Sequence, residues 1–241
     1  MSKITMKNFP ELPYAVEEAV NRLRININFL GNDIKKIMVV STMPNEGKSF
    51  VAMQLWRQMA QAGTPSILVD LDLRKSIMAE KYGVVAEGKE EIKGTSYYLS
   101  HPLEIEQAVC HTEIEHGDIM PNTDNVVNPS MLLESRRFEE MLEYMGEKYR
   151  YVLLDSPPLN LVSDGERIGN LCDGAILVVR GGETPKAMVK HSLLQLERAG
   201  CPLLGIVLNR VQGAGSGYYY KKYGGSYYGG HYYGSDYYYG K

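Results

Sequence analysis

Residues 37–49 read Ile-Met-Val-Val-Ser-Thr-Met-Pro-Asn-Glu-Gly-Lys-Ser: an apolar run, a short loop, and a Lys-Ser pair that opens an amphipathic stretch. The pattern approximates G-x-x-x-x-G-K-[ST], with Thr42 where the first glycine is expected. Such a loop turns backbone N–H groups inward at a helix N-terminus, where they hold phosphate oxygens. Met43, Pro44, Asn45, Glu46, Gly47, Lys48, Ser49 and Phe50 are therefore expected around the phosphates of a nucleotide. Lys48 would neutralise the β- and γ-phosphates, and the Ser49 hydroxyl would meet Mg²⁺. Gly47 allows close backbone approach, and Asn45 tolerates positive φ better than most residues.

Acidic residues end two further apolar runs: Ile67-Leu-Val-Asp70-Leu-Asp72-Leu-Arg74, and Tyr151-Val-Leu-Leu-Asp155-Ser-Pro-Pro. In open parallel sheets a ligand lies beyond the carboxyl ends of the strands. Three carboxylates there, beside a phosphate loop, suit Mg²⁺ and proton transfer. The spacing of Asp70 and Asp72 puts both on one face of an extended chain. Arg74 suits a phosphate or a carboxylate partner equally. Asn209 and Arg210 follow the last apolar run and are expected to border the adenine.

The elements that must position these groups are legible in outline. Near-continuous apolar runs at 37–40, 67–71, 151–154, 175–179 and 203–208 suit strands buried on both faces. Stretches 48–62, 129–148 and 185–199 have helical spacing. Pro129 and Pro185 suit first helical positions, and Gly63 and Gly200 fall where helices should stop. The alternation predicts an α/β fold, a mostly parallel sheet with helices on both faces of the P-loop NTPase kind. A helix at about 13–30 precedes the first of these strands, and residues 83–116 carry no clear period. The expected organisation is an N-terminal helical segment over 1–35, an ATP-binding domain over 36–211, and a tail over 212–241.

That tail is compositionally distinct. Of 18 tyrosines, 11 lie in the last 24 residues: Tyr218, Tyr219, Tyr220, Tyr223, Tyr227, Tyr228, Tyr232, Tyr233, Tyr237, Tyr238 and Tyr239. No aliphatic residue stands among them, so the segment cannot offset the entropy of ordering and reads as disordered. For the whole chain, 26 basic against 29 acidic residues leave a net charge of −3 and no basic footprint for nucleic acid. Three cysteines at unrelated spacings fit a reduced, cytosolic chain without a disulfide framework or zinc site. The N-terminal residues lack the apolar core of a secretory signal, and no apolar run approaches a membrane span.

The three motifs, in this order, resemble the Walker A, Walker A′ and Walker B motifs of the bacterial tyrosine kinases of capsular and exopolysaccharide synthesis, the BY-kinases. Glu18-Ala-Val-Asn21-Arg22-Leu-Arg24 resembles that family's E-x-x-R-x-x-R assembly helix, with Asn21 for the middle arginine. Asn128-Pro129-Ser130-Met131-Leu132-Leu133 resembles its N-P-x-E-L-L helix start, with Met131 for Glu. With the tyrosine cluster, the resemblance spans nearly the whole chain.

The resemblance implies ATP- and Mg²⁺-dependent phosphorylation of protein tyrosine, chiefly in the chain's own tail and between neighbours of a ring joined through Glu18, Arg22 and Arg24. It also implies a separate transmembrane activator whose cytoplasmic segment recruits the kinase to the inner face of the plasma membrane, and other tyrosine-containing protein substrates. Free tyrosine has a pKa near 10, so the attacking hydroxyl benefits from a base, a role assigned to Asp72. Ser49 and Asp155 would organise Mg²⁺ with support from Asp70, and Lys48 would stabilise the transferring group. Phosphorylating all 11 tail tyrosines would add on the order of −16 to −22 of charge, enough to push clustered tails apart. Two other readings are a partition or cell-division ATPase, whose extra lysine is replaced here by Met43, and a nucleotide-binding adaptor whose tail drives assembly.

Overall fold

The computed structural model describes residues 2–88 and 91–211. The proposed tail, 212–241, and all its tyrosines lie outside the described residues. The chain runs β1 (Ser2–Met6), α1 (Tyr14–Asn28), β2 (Lys36–Ser41), α2 (Lys48–Gln61), β3 (Ser66–Asp70), α3 (Met78–Tyr82), β4 (Val84–Ala86), α4 (Thr95–Ser100) and α5 (Ile105–Ala108). It continues through β5 (Cys110–His111), β6 (Gly117–Met120), α6 (Ser130–Leu133), α7 (Arg136–Lys148), β7 (Tyr151–Asp155), α8 (Asp164–Gly169), β8 (Gly174–Arg180), α9 (Lys186–Arg198) and β9 (Leu203–Asn209).

The strands form one sheet in the order β4-β1-β5-β6-β3-β7-β2-β8-β9. The six from β6 to β9 are mutually parallel. The β1–β4 and β5–β6 pairs at the other end are antiparallel. In β2, Ile37 and Val39 face a layer built on α1 and α2, where Val20, Ile27, Leu55 and Trp56 pack. Met38 and Val40 face the opposite layer, with Phe138, Met141 and Met145 of α7 and Leu196 of α9. All four strand residues are fully buried. Burial on both faces is why this strand reads as an unbroken apolar run rather than an alternating one.

β2 leaves through α2 to β3 on one side, and β7 leaves through α8 to β8 on the other. The connections diverge between β7 and β2, and this switch point opens a crevice beyond the strand ends.

The structure corrects the sequence reading at three places. The first 35 residues are not a separate helical segment: β1 joins the sheet, pairing with β4 and β5, and the described residues up to Arg210 form one unit. Its Ser2, Ile4 and Met6 alternate inward, but five residues make too short a period to stand out. The helix expected over 129–148 is two helices. Ser135 adopts an extended backbone and its side chain accepts the Phe138 N–H, so it caps a new helix rather than continuing the old one. Pro129 and Pro185 occupy N-caps, one position before the first helical residues.

Candidate functional site

The loop between β2 and α2 lies at the switch point. Asn45 (φ 63°) and Gly47 (φ 99°) both adopt left-handed backbone there. These reversals aim successive amides at the space over the N-terminus of α2. A cleft of about 260 Å³ opens in front of the loop. Pro44, Asn45, Gly47, Lys48, Ser49 and Phe50 line it, and so do Asp72, Arg74, Asp155 and Arg210. Met43, Glu46, Asp70 and Asn209 do not; of these Glu46 and Asp70 are buried.

Lys48 is the centre of the charge arrangement. Its Nζ lies 3.0 Å from Asp72 Oδ2 and 3.5 Å from Asp155 Oδ1, and 3.4 Å from Ser49 Oγ. Burial alone would lower its pKa, but Asp155 and Asp72 reverse that and hold the ammonium above the ordinary lysine value. Register places Asp70 beside Asp155 on adjacent strands. Burial raises the Asp155 pKa, against the pull of Lys48. Asp70, fully buried, accepts the Asp72 N–H at 3.1 Å and the Ser76 hydroxyl. Burial, and then the neighbouring Asp155, push its pKa up to about 8. Asp70 and Asp72 thus diverge, despite the common face expected from spacing, because the chain leaves the strand at Asp70.

The Asp70 shift yields a testable pH dependence. A raised carboxyl pKa means that between about pH 4 and pH 8 the folded chain holds a proton the unfolded chain has released. Stability therefore falls as pH rises through that window. Asp70→Asn removes this loss, so its melting temperature relative to the unsubstituted chain should climb steadily from about pH 5 to pH 8. A constant difference across the window would show that Asp70 ionises ordinarily.

Arg74, open between two partners in the sequence, pairs with a carboxylate. Its Nε lies 2.7 Å from Asp164 Oδ2 and its Nη2 donates to Asp164 Oδ1 at 3.0 Å. Asp164 carries no sequence signal, being one of two acids in the first turn of the short α8. Lys81, Ile77 and Leu161 also line the cleft, and sequence reasoning missed them. Short α3 and the 156–163 connection bring them in, and neither has a periodic pattern.

On α1, Arg22 is exposed and Glu18 half-buried. Asn21, where the resembling motif has arginine, accepts Arg24 Nη2 at 2.9 Å and Nε at 3.3 Å through Oδ1. Tyr14 and Phe29 on this helix's ends are 78 % and 83 % exposed.

Comparison with known proteins agrees with this geometry. The AAA domain family matches residues 34–165. Tyrosine-protein kinase CpsD of Streptococcus agalactiae serotype III (strain NEM316) is 34 % identical over 195 residues, covering 81 % of this chain and 82 % of the relative. The crystal structure of the chimerical protein CapA2B2 superposes with a TM-score of 0.75 at 28 % identity, covering 87 % of this chain and 93 % of that one. The kinase domain of Escherichia coli tyrosine kinase ETK gives 0.73 at 28 % identity, covering 82 % and 78 %. A phosphate loop whose lysine meets Asp72 and Asp155, in a chain so related, identifies it as a protein-tyrosine kinase, a member of the bacterial tyrosine kinases of capsule biosynthesis.

Proposed function

We propose that the chain transfers the γ-phosphoryl group of ATP to tyrosines of its own C-terminal cluster, from one copy to a neighbour in a ring, and so regulates capsular or exopolysaccharide synthesis. The observation that carries the reading is the convergence of Lys48, Asp72 and Asp155 on one cleft wall, in a chain with 11 tyrosines in its last 24 residues.

The cleft suits the nucleotide and its metal. Ser49 Oγ and the Asp155 carboxylate are hard oxygen donors on the same wall, a set that fits Mg²⁺. Bound there, Mg²⁺ neutralises phosphate oxygens. The loop amides and Lys48 hold the phosphates and stabilise charge on the transferring group. A γ-phosphate entering the cleft competes with Asp72 for the Lys48 ammonium. The released Asp72 carboxylate then takes the proton from the attacking tyrosine hydroxyl. Arg210, on the cleft wall, remains the better candidate for the adenine side, since Asn209 stands behind the loop.

The exposed Tyr14, Arg22 and Phe29 make α1 the natural contact between copies, with Glu18 and Arg24 at its margin. No helix among the described residues is long and apolar enough to cross a membrane. In this reading, membrane recruitment and activation come from the cytoplasmic segment of a separate transmembrane partner, and other tyrosine-bearing proteins serve as further substrates.

The test is intact mass after phosphatase treatment and incubation with Mg-ATP, with and without that segment. A ladder of phosphate-sized steps, lost on truncation before Tyr218, is the expected result. ATP hydrolysis at fixed mass would favour the partition-type ATPase, and neither hydrolysis nor a mass change would leave the adaptor.

A further inference from the structure

We propose that Thr184 and Asn209 are positioning residues for the phosphate loop, acting through Glu46 without touching the nucleotide. This rests on the reading that the loop holds nucleotide phosphates. Glu46 lies between the two left-handed residues of the loop and is only 3 % exposed. A carboxylate in a loop that receives an anion is electrostatically unfavourable for binding, so its presence needs a mechanical reason. Its side chain turns away from the cleft and is held at both oxygens. Oε2 accepts the Met43 N–H at 2.8 Å, closing the loop on itself, and Oε1 accepts the Thr184 hydroxyl. Thr184 is oriented in turn by the Arg180 N–H, which donates to its Oγ1 at 3.2 Å.

The backbone of Glu46 is held as well. Amides that point inward at phosphates leave carbonyls pointing outward, and a buried outward carbonyl requires a donor. Asn209 supplies it: Nδ2 donates to the Glu46 carbonyl at 2.8 Å. Asn209 is itself fixed, its Oδ1 accepting the Arg210 N–H at 2.9 Å and its carbonyl accepting the Gly181 N–H at 2.8 Å. The fit is close: a Cβ on Gly47 would stand 2.1 Å from Asn209 Nδ2. Gly47 is therefore required by this contact as well as by its positive φ. The carboxyl ends of β8 and β9 thus grip the loop from behind, at the side chain and backbone of one residue, and pre-set the shape in which it meets phosphate.

The expected effect follows from leaving buried acceptors without donors. In the full-length chain, Thr184→Val and Asn209→Ala should each weaken Mg-ADP binding by about 10-fold. Mg-IDP, which lacks the exocyclic amine, should weaken by the same factor. Thr184→Ser, which keeps the hydroxyl, should bind within about 2-fold of the unsubstituted chain. Glu46→Leu, which leaves the Met43 N–H and the Thr184 hydroxyl without an acceptor, should lose affinity like Thr184→Val and serves if that variant does not fold. Titration calorimetry reads all of these. Affinities within about 2-fold for Thr184→Val, Asn209→Ala and Glu46→Leu would sink the proposal. A loss on Asn209→Ala confined to ADP would make Asn209 a base contact and overturn its role on the loop. Failure of the unsubstituted chain to bind either nucleotide would overturn the nucleotide reading itself, and the clamp with it.

Discussion

Lys48→Met is expected to lower phosphoryl transfer by at least about 10³-fold, so that the phosphate ladder disappears from the intact mass. Two effects combine. The ammonium that stabilises charge on the transferring group is lost. Asp72 and Asp155, at 3.0 and 3.5 Å from it, then face each other and Asp70 without the cation between them. The buried Asp155 and Asp70 in that position neutralise by taking up protons. A protonated Asp155 no longer suits a metal, so the substitution also disables a group it leaves in place.

The same argument fixes the sign of the stability change. Removing one partner of a buried ion pair costs about 3–5 kcal/mol. Here part of that loss is recovered whenever the carboxylates can be protonated. The Lys48→Met chain should therefore melt lower than the unsubstituted chain, by a margin that widens from about pH 5 to pH 8, since the folded state holds the extra protons. Retention of more than a tenth of the transfer rate would remove Lys48 from the catalytic role. A margin that narrows with rising pH would contradict the account of the carboxylates.

Mixing two crippled chains gives the second large effect. A Lys48→Met chain keeps the tyrosine cluster but lacks the catalytic cation. A chain truncated before Tyr218 keeps the cleft but lacks the cluster. Neither alone should gain phosphate. Incubated together with Mg-ATP and the activator's cytoplasmic segment, they should place phosphate on the Lys48→Met chain, because transfer runs between copies. Mass distinguishes the two products directly. The initial rate should rise with protein concentration, and Arg22→Glu, which reverses a charge on the exposed face of α1, should slow it several-fold while leaving Mg-ADP affinity unchanged. A full-length chain that labels itself at a concentration-independent rate, with no labelling in the mixture, would establish transfer within one chain instead.

What could be read from the sequence alone was local chemistry with a strong period or a strong composition. The strands β2, β3, β7 and β8 were legible because burial on both faces demands unbroken apolar runs; β9 has such a run too, but it is an edge strand whose Leu203, Ile206 and Leu208 are exposed, against the two-sided burial expected for it. The phosphate loop was legible because Gly47, Lys48 and Ser49 must stand together where a strand turns into a helix. β1 was missed because five residues carry too little alternation, and the break at Ser135 because one capping side chain outweighs a continuing helical pattern. Relations between distant segments were decided by the tertiary structure. Packing put Asp70 behind the cleft and Asp72 on its wall, gave Arg74 to Asp164, and brought Thr184 and Asn209 against Glu46, 138 and 163 residues away. Such contacts leave no spacing signal, because hydrogen bonds across a parallel sheet depend on strand order, which long crossover connections set and neighbouring residues do not.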